Sequence, residues 1–543
     1  MSERILKVHP DDNVIVALQD LEKGEVISYK GESYTLQDKI PAKHKFVTGN
    51  LEVGQPVFMY GVLVGKALEK ISGGGLVSTR NLKHASSDYF GKTREYKWTP
   101  PELKQFENRT FLGYHREDGT VGTANYWVFI PTVFCENRNL DVIKEALWNE
   151  LGYSISDKYR SFTRHLVEEM QHRSDALEEV TIHLPSSRVF PNVDGIKFLN
   201  HQGGCGGTRQ DSEVLKRLLA SYVDHPNVAG ATVLSLGCQH LQLDDLLDEI
   251  KRRNPGFNKP VFTFEQQGGL TEEALLQNAI RKTFEGLKIA NTYVRKPAPI
   301  SKLRLGVKCG GSDGFSGISA NPAVGHTADL LIAAGGSVLL AEFPELNGVE
   351  QELADRCETN EIAQKFVSLM KAYSAQAQSV GSGFDMNPSP GNIKDGLITD
   401  AIKSAGAAKK GGTAPVVDVL DYTEPLTKPG LNLVCTPGND VEATTGKASS
   451  GATLILFTTG LGTPTGNPVC PVIKVSTNNA LTQKMHDIID INTGDIISDG
   501  VSIEQKGEEI LEFCIAVASG QIIPKAVSLQ QDDFIPWKRG VSL

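Results

Sequence analysis

The chain has 543 residues, 40% of them hydrophobic, and a formal net charge of −10 at pH 7. At roughly 100–200 residues per domain it can build two to four cores, while its acidic balance argues against nucleic acid, whose phosphates attract basic surfaces. No apolar run approaches the ~18–20 residues that cross a bilayer and the start, MSERILKVHPDD, lacks a secretory apolar segment, so we expect a soluble, cytoplasmic protein that binds no membrane.

The first 92 residues carry short β-rich runs that are separated by glycines. These runs are 13–17, 46–48, 56–59 and 61–64. Runs of this length and composition predict a small all-β domain over residues 1–92. Residues 93–110 follow with a Pro-Pro pair and dense charge, TREYKWTPPELKQFE, which is typical of a linker.

Beyond residue 110, apolar strand candidates alternate with helical patterns. Strands are predicted at 197–201, 231–236, 261–264, 303–309, 337–341, 431–435 and 453–457. Helices are predicted over 210–222 and 241–253. This alternation predicts parallel, Rossmann-like sheets covered on both faces. We therefore predict an α/β body of two domains, 111–297 with a GGCGG loop and 298–543 with a CGGSDGFSG loop.

The stretch VKCGGSDGFSGISANPAVG, residues 307–325, predicts a strand, a polar loop and a helix start. The loop carries a thiol, a carboxylate and two hydroxyls among its glycines, and Asn321-Pro322 reads as an N-cap followed by a first helical residue. Loops after parallel strands line ligand crevices, and helix N-termini favour anions. The stretch therefore predicts a site for a negatively charged small molecule, with a plain tight turn as the alternative.

Polar side chains directly follow several of the predicted strands. In chain order they are His201 and Cys205, Cys238 and His240, Cys309 and Asp313, Glu342 and Glu345, the segment 435–440, and the threonine-rich 458–465. Because the carboxyl ends of parallel strands meet at one edge, this coincidence predicts a shared crevice. By contrast, Lys409-Lys410 is typical of a solvated pair at a helix end.

The eight cysteines include no CxxC pair and do not resemble a disulfide framework or a structural zinc site. We expect free thiols, most of them buried. Cys205 and Cys238 are each flanked by glycine. Either they are ligands or catalytic thiols, or they are small side chains that allow strands to approach closely.

Most of the chain from residue 111 to 495 resembles the altronate/galactarate dehydratase family, sugar-acid lyases that are also similar to sulfolactate sulfo-lyases. The matching stretches are GYHREDGTVGTANY (113–126), HQGGCGGTRQD (201–211), HPNVAG with LGC (225–238), GVKCGGSDGFSGISANPAVG (306–325), AEFPELNG (341–348), MNPSPGN (386–392), and TPGNDVEATTG with GATLILFTTGLGTPTG and PVIKVSTN (436–478). The N-terminal segment, with AKHKFV and YGVLVGKA, resembles the SAF domain that such dehydratases carry.

The resemblance implies removal of water from a sugar acid such as altronate, giving a 2-keto-3-deoxy acid, with divalent Fe²⁺ or Mn²⁺ as cofactor. The proton that leaves C2 lies beside a carboxylate, so its removal builds a second negative charge that must be stabilised. A base takes this proton, and an acid protonates the departing C3 hydroxyl. We expect a small-molecule sugar acid as partner and a homo-oligomeric state.

The matched motifs supply side chains for each role. The predicted catalytic residues are Lys308, Asp313, Glu342 and His44. The predicted substrate-binding residues are Gly310, Gly311, Ser312, Gly314, Ser316, Asn321, Thr458, Thr459 and Lys474. The predicted metal ligands are Cys205, His201, Cys309 and Glu345. Glycine amides suit a carboxylate, and the hydroxyls suit a polyol chain.

Two segments depart from the family pattern. The SAF domain typically ends in V-H-x-H-N, but residues 77–81 read VSTRN, so both histidines are missing and His84 is a substitute only if its loop folds back. Arg80 could instead bind a carboxylate bidentately. In 395–406, DGLITDAIKSAG, the family tends to carry glutamates ahead of the lysine, and only Lys403 remains. Substrate identity and metal use both depend on these positions.

Three functional hypotheses follow. The first is a metal-assisted dehydratase of altronate or a related sugar acid. The second keeps the fold but acts as a lyase on galactarate or a sulfonated acid. The third is a non-catalytic sugar-acid binding protein that has lost its metal histidines, and ligand-dependent thermal stabilisation without turnover would distinguish it.

Overall fold

The computed structural model describes residues 4–155, 158–170 and 187–539. Within these ranges the chain forms an all-β domain followed by an α/β body with two parallel sheets, which confirms the predicted fold class. None of the described helices is long and apolar enough to cross a membrane. The helices are α1 (Asn137–Leu151), α2 (Lys158–Met170), α3 (Arg209–Asp224), α4 (Leu243–Arg253), α5 (Glu272–Ala290), α6 (Ala320–Ala333), α7 (Glu350–Arg356), α8 (Asn360–Ser379), α9 (Pro390–Lys394), α10 (Asp400–Ala408), α11 (Asp440–Ser449), α12 (Asn479–Lys484), α13 (Asp495–Ser498), α14 (Ile503–Ala518) and α15 (Lys525–Ser528).

Short antiparallel strands form the N-terminal domain. They are β1 (Ile5–Leu6), β2 (Val14–Ala17), β3 (Val26–Tyr29), β4 (Glu32–Thr35), β5 (Lys45–Val47), β6 (Pro56–Met59), β7 (Val62–Ala67), β8 (Leu76–Val77) and β9 (Leu82–Lys83). They pair in three sheets, β1-β2-β5-β8, β3-β4 and β6-β7-β9. The strands are short because turns interrupt them. Gly24 and Gly54 turn the chain with φ values of 81° and 82°, which glycine adopts without steric cost.

A four-stranded parallel sheet is the core of the second domain. The strands of this domain are β10 (Thr110–His115), β11 (Val121–Gly122), β12 (Tyr126–Pro131), β13 (Gly195–Phe198), β14 (Val228–Ser235), β15 (Val261–Glu265) and β16 (Lys296–Pro299). The parallel sheet has the order β13-β12-β14-β15. Every residue of β12 and β14 is buried, as expected for parallel strands covered on both faces. Antiparallel pairing of β10 with β16 joins the two ends of the domain.

A seven-stranded parallel sheet is the core of the C-terminal domain. Its strands are β17 (Arg304–Cys309), β18 (Ser337–Ala341), β19 (Val416–Leu420), β20 (Gly430–Val434), β21 (Leu454–Thr459), β22 (Val472–Ser476) and β23 (Ile491–Asn492). The strand order is β19-β20-β18-β17-β21-β22-β23. The first strand, β17, lies between β18 and β21. Later strands are therefore added to the sheet on both sides of β17. Open parallel sheets bind ligands outside the carboxyl ends of the strands at such a switch point.

The start of α6 differs from the prediction. The helix begins at Ala320 with Ser319 as the N-cap residue, so Asn321 lies inside the first turn and is not the cap. The reason is that the Asn321 side chain has other partners: its amide nitrogen donates to the carbonyl of Gly406 at 3.0 Å, and its oxygen accepts from Thr458 Oγ1 at 2.6 Å. Asn321 therefore ties α6 to neighbouring elements.

Extended segments fasten the domains to one another. Residues 93–98 cross the C-terminal domain, where Thr93 bonds the Asp355 carboxylate at 2.8 and 2.9 Å. The C-terminal tail, 531–539, runs between the two α/β domains, and there Lys197 Nζ lies 2.7 Å from Asp532 Oδ1.

Candidate active site

Charged side chains gather at the carboxyl edge of β17, β18 and β20. Lys308 and Cys309 end β17, and Glu342 follows β18 directly. Glu342 has a φ of 74°, a left-handed conformation that costs a non-glycine residue of the order of 1–3 kcal/mol. Its amide donates to Thr436 Oγ1 at 3.0 Å, which holds it in place. Such strain at a sheet edge is typical of a functional site.

The Glu342 carboxylate is surrounded by ammonium groups. Lys308 Nζ pairs with Glu342 Oε1, and Lys410 and Lys447 lie 3.3 and 3.6 Å from Oε2. All four side chains are buried. Burial by itself would lower the pKa of Lys308, but Glu342 and then Asp440 reverse this effect and raise it. Lys308 therefore stays protonated.

The Glu345 carboxylate forms the second half of this cluster. Its Oε1 lies 3.1 Å from Lys403 Nζ, and its Oε2 accepts from Cys309 Sγ at 3.2 Å. Burial would raise the pKa of Glu345, but the ammonium groups, Lys403 first, lower it to about 2. Glu345 is therefore a carboxylate at every physiological pH.

The lysine cluster carries a surplus of positive charge. Among the described residues it comprises four ammonium groups, Lys308, Lys403, Lys410 and Lys447, and three carboxylates, Glu342, Glu345 and Asp440. With the thiol neutral, four positive and three negative charges leave one positive charge. The Lys447 ammonium has no hydrogen-bond acceptor among the described residues, and burial lowers its pKa to about 8. The cluster can thus accept one more anion.

One end of the cluster is open to solvent. The side chain of Asp440 is 27% exposed and that of Lys403 is 8% exposed, whereas Lys308 is fully buried. Asp440 Oδ1 lies 2.9 Å from Lys308 Nζ. Asp440 and Lys403 therefore mark the mouth through which a small molecule would reach the cluster.

The glycine loop after β17 forms one wall of this mouth. A Cβ atom at Gly310 would lie 2.5 Å from Asp440 Oδ1, and one at Gly311, where φ is 58°, would lie 2.9 Å from Thr463 Oγ1. A side chain at either position would crowd Asp440 or Thr463, so glycine is favoured at both. The predicted carboxylate-binding amides of Gly310 and Gly314 are already used, because they donate to the carbonyls of Thr458 and Asp395. The amide of Gly311 has no acceptor in the described part of the chain and remains available.

Asp313 has a structural environment that does not support the predicted catalytic role. Its Oδ1 accepts from Ser316 and Thr477, each at 3.0 Å, and its Oδ2 lies 3.0 Å from Lys43 Nζ. Asn478 also donates to Oδ2 at 3.2 Å. A buried carboxylate with all its acceptor positions occupied cannot take a proton without losing these bonds. Asp313 instead docks the N-terminal domain onto the C-terminal domain.

The predicted N-terminal histidine, His44, lies at the same domain contact. Its Nε2 is 3.1 Å from the carbonyl of Lys394, and burial lowers its pKa. His84 does fold back: its Nδ1 accepts from the amide of Ala401 at 3.4 Å, at the start of the helix that carries Lys403. Arg80 is exposed. The N-terminal domain thus borders the site, but the structure brings none of these three side chains into the lysine cluster.

The predicted substrate hydroxyls divide into two groups. Ser316 and Thr458 are buried and bond within the fold, to Asp313 and to Asn321. Thr459 Oγ1 accepts from the amide of Gly462 at 3.0 Å. Of these four predicted hydroxyls, only that of Ser312 is buried without a partner among the described residues, which keeps it available for a ligand.

Lys474 lies beside the cluster with its ammonium already bound. It donates to the carbonyls of Thr463, at 2.8 Å, and Thr465, and its Nζ lies 3.9 Å from the centre of the Phe457 ring. Burial lowers its pKa to about 7. Lys474 therefore fixes the 463–465 segment of the loop rather than reaching the mouth.

The four predicted metal ligands do not form one site. Cys309 and Glu345 lie in the lysine cluster, whereas His201 and Cys205 follow β13 in the other parallel sheet. Both ring nitrogens of His201 are used: Nε2 lies 2.8 Å from the carbonyl of Pro131, and Nδ1 accepts from the amide of Gly203. A metal at His201 would have to displace a backbone hydrogen bond from a buried ring, so this geometry does not support the predicted ligand role.

Cys309, Glu342 and Glu345 do form a group of three potential metal ligands within 4.8 Å of one another. Their donor atoms, however, are held by ammonium groups, including Lys410 Nζ at 2.8 Å from Cys309 Sγ. At 4 Å and an effective dielectric constant of 20, each unit of like charge costs about 4 kcal/mol. The donor set therefore does not fit a divalent ion at this position.

Three members of the cluster were missed by the sequence patterns. Lys410 was expected to be solvated but is only 1% exposed, and Asp440 and Lys447 were not assigned a role. A signal was present in the matched stretch TPGNDVEATTGK, 436–447, because a lysine among small residues of a buried helix needs an acidic partner. Local pattern alone does not identify that partner.

Known proteins match the chain from end to end. The family model described as "Altronate/galactarate dehydratase SAF domain" matches residues 3–85, "D-galactarate dehydratase/Altronate hydrolase, second domain" matches 113–291, and "D-galactarate/Altronate dehydratase, C-terminal" matches 300–542. The chain is 34% identical to an altronate dehydratase of Bacillus subtilis (strain 168) and 31% identical to one of Escherichia coli (strain K12), with 99% of each chain covered in both comparisons. It is 29% identical to the galactarate dehydratase (L-threo-forming) of Escherichia coli (strain K12), over 95% of this chain and 93% of that protein. The chain therefore belongs to the altronate/galactarate dehydratase family and is a sugar-acid dehydratase, a lyase that eliminates water.

Proposed function

We propose that the chain dehydrates an aldonate such as altronate to a 2-keto-3-deoxy acid. The observation that carries this proposal is the surplus positive charge of the lysine cluster beside a glycine loop at the sheet's switch point. An aldonate brings one carboxylate, which neutralises that surplus. The two relatives named altronate dehydratase support the choice of substrate.

The substrate carboxylate binds at the mouth of the cluster in this proposal. Lys403 offers the ammonium that is closest to solvent, and Gly311 offers a backbone N–H without another acceptor. The hydroxyl of Ser312 is available for the polyol chain. A charge-assisted hydrogen bond of this kind contributes about 1.5–3 kcal/mol.

Asp440 is the proposed base for the C2 proton. It is the most exposed carboxylate of the cluster, and its Oδ1 atom forms an ion pair with Lys308 Nζ at 2.9 Å. Its oxygen takes the proton and the C2–H electron pair forms the C2–C3 double bond. The C3 hydroxyl leaves as water with the proton that Asp440 has taken, which returns Asp440 to the carboxylate form. The resulting enol then rearranges to the ketone, so that the only product besides the keto acid is one water molecule.

The ammonium groups stabilise the charge that develops during this step. Removal of the C2 proton makes the substrate carboxylate doubly negative. An ammonium at about 4 Å contributes roughly 4 kcal/mol per unit charge at an effective dielectric constant of 20. Because the groups are fixed before the reaction, they need no reorganisation when the charge appears. Lys308 and Glu342, predicted as catalytic, act here as parts of this fixed charge array.

A substrate panel tests the proposal. The purified protein is incubated with altronate, with its epimeric hexonates, with galactarate and with a sulfonated acid, and 2-keto products are measured with a carbonyl reagent. We expect the fastest turnover with altronate. Turnover of galactarate or the sulfonated acid alone would overturn altronate as the substrate, and ligand-dependent stabilisation without any product would indicate a binding protein. The homo-oligomeric state and the cytoplasmic location remain predictions for light scattering and cell fractionation.

A further inference from the structure

Three cysteines lie at one edge of the second domain. All eight cysteines are within the described ranges, and five of them are buried while Cys135, Cys205 and Cys238 are exposed. Cys135 follows β12, Cys205 follows β13 and Cys238 follows β14. These three strands are neighbours in a parallel sheet, so the thiols emerge at the same edge around its switch point. Cysteine is one of the most often buried residue types, which makes this placement unusual.

Backbone hydrogen bonds join the loops that carry these thiols. The amide of Phe134 donates to the carbonyl of Gly203 at 3.0 Å, and the amide of Thr132 donates to the carbonyl of Leu234 at 2.9 Å. The side chain of Asn137 donates to the carbonyl of His201 at 2.9 Å. Each loop is therefore held against its neighbour.

Glycines bring two of the thiols close to the neighbouring loops. Gly204 has a φ of 99°, and a Cβ atom there would lie 2.4 Å from the carbonyl oxygen of Thr132. Gly237 has a φ of 118°, and a Cβ atom there would lie 2.9 Å from Gln267 Oε1. The Cβ atom at Gly204 would meet backbone, whereas the one at Gly237 would meet only the Gln267 and Glu265 side chains; the positive φ values favour glycine at both positions. The chain just before Cys205 and Cys238 therefore packs closely against its surroundings.

The polar surroundings suit a sulfur-bound group. Gln267 Nε2 lies 3.5 Å from Cys238 Sγ, and donors of this kind stabilise a thiolate ligand and tune its metal. The hydroxyl of Thr132 is buried without a partner among the described residues. It lies three residues before Cys135, at the end of the central strand.

A cavity of about 390 Å³ opens beside the three loops. It is lined by Cys205 itself and by Asn137 and His240, which stand two residues after Cys135 and Cys238. Phe534 and Trp537 of the C-terminal tail form the opposite wall. Its volume is in the range of small-molecule sites, so a group bound by the thiols would have a substrate-sized space on its open side.

We infer that Cys135, Cys205 and Cys238 hold an iron–sulfur cluster of four irons and four sulfides through three thiolates. A single ion with metal–sulfur bonds of about 2.3 Å would place its ligand atoms within about 4.6 Å of one another. The described groups of three ligand atoms within 4.8 Å do not include these thiols. A cluster spaces its thiolates more widely, because each one binds a different iron. Each thiol releases its proton on binding.

Three thiolates leave one iron of such a cluster without a protein ligand. That iron is a Lewis acid that can bind a hydroxyl or carboxylate oxygen of a small molecule in the cavity. Oxygen ligands of this kind are found on hydroxy acids, the substrate class of the proposed function. This use of the cluster rests on the proposed function, but the presence of the cluster does not.

The test is chemical analysis of the full chain, purified without oxygen and reconstituted with ferrous iron and sulfide. We expect about four irons and four acid-labile sulfides per chain, with the visible absorption of sulfide bound to iron. C135S, C205S and C238S should each lose most of the sulfide. C357S, which changes a buried cysteine in the C-terminal domain, is the matched control and should keep it. Circular dichroism of each variant checks that it is folded.

The outcomes separate this inference from the proposed function. Iron or zinc without sulfide, or full sulfide content in all three variants, would overturn the cluster. A cluster that binds normally while altronate is inert would leave the inference standing and overturn the proposed substrate. Full turnover of altronate by C205S without sulfide would remove the cluster from the reaction and leave the proposed function intact.

Discussion

The ammonium of Lys410 lies 2.8 Å from the Sγ atom of Cys309, and both side chains are buried. Burial raises the pKa of the Cys309 thiol to about 11, so at neutral pH it remains protonated. The thiol accepts from Lys410 and donates to Glu345. It therefore links the two halves of the lysine cluster without adding a charge.

This arrangement predicts different effects for two substitutions. Cys309→Ser keeps a donor and an acceptor and should change the free energy of unfolding by less than about 1 kcal/mol. Cys309→Ala removes both, leaves buried charged groups with one partner fewer, and should cost about 1–3 kcal/mol. Chemical denaturation of both variants measures the difference. Equal stability of the serine and alanine variants would contradict the linking role.

Lys403→Met tests the anchoring of the substrate carboxylate. The change removes the ammonium at the mouth, and the loss of a charge-assisted hydrogen bond should raise KM for altronate by roughly 10- to 100-fold. The control is Lys365→Met, which breaks an exposed ion pair with Glu424 and should leave KM unchanged. Steady-state kinetics compare the two variants. An unchanged KM in Lys403→Met would place the carboxylate elsewhere.

Asp440→Asn tests the proposed base. Asparagine keeps the size and an oxygen for Lys308 but accepts no proton, so kcat should fall by roughly 10²- to 10⁴-fold. KM should not rise, because the neutral amide leaves more positive charge in the cluster. Asp487→Asn, at an exposed position, serves as the control. A kcat within a few-fold of the original would assign the proton transfer to another group.

The sequence predicted the parallel strands well because their burial on both faces leaves continuous apolar runs. For the same reason it placed Cys309, Glu342 and Glu345 at one edge, since parallel strands end together. It also predicted that His84 could fold back, and the structure places it against Ala401. These conclusions needed only periodicity and the direction of the strands.

The roles of Asp313, His201 and Lys410 could not be predicted in this way. Each depends on a partner far away in the chain: Lys43 for Asp313, the carbonyl of Pro131 for His201, and Glu342 for Lys410. Such partners are determined by the packing of loops and domains, which a local pattern does not contain. The sequence did not single out Cys135, because the three proposed thiolate ligands lie on separate loops and leave no spacing motif.

Lys43→Met tests the docking of the N-terminal domain. Lys43 lies 3.0 Å from both Asp313 and Asp395, and its loss would leave the buried Asp313 carboxylate without an ion pair. Because hydroxyl and amide donors remain on Asp313, we expect a loss of about 2–3 kcal/mol. Chemical denaturation and limited proteolysis of the N-terminal domain measure it. Lys39→Met, in an exposed pair with Glu22, should have little effect, and an equal effect would refute the docking role.

We expect the buried, neutral imidazole of His225 to make the fold less stable in mild acid. Its Nε2 lies 2.9 Å from the carbonyl of Ala452 and its Nδ1 accepts from the amide of Asn227, while burial lowers its pKa to about 3. The unfolded chain, with a histidine pKa of about 6.5, binds the proton first. Stability is therefore complete above pH 6.5 and falls as the pH decreases towards 3, by roughly 3 kcal/mol over two pH units. Unfolding of His225→Gln between pH 4 and 7 should show a shallower slope than the original chain, whereas exposed His486→Gln should not, and identical slopes for all three would contradict the assignment.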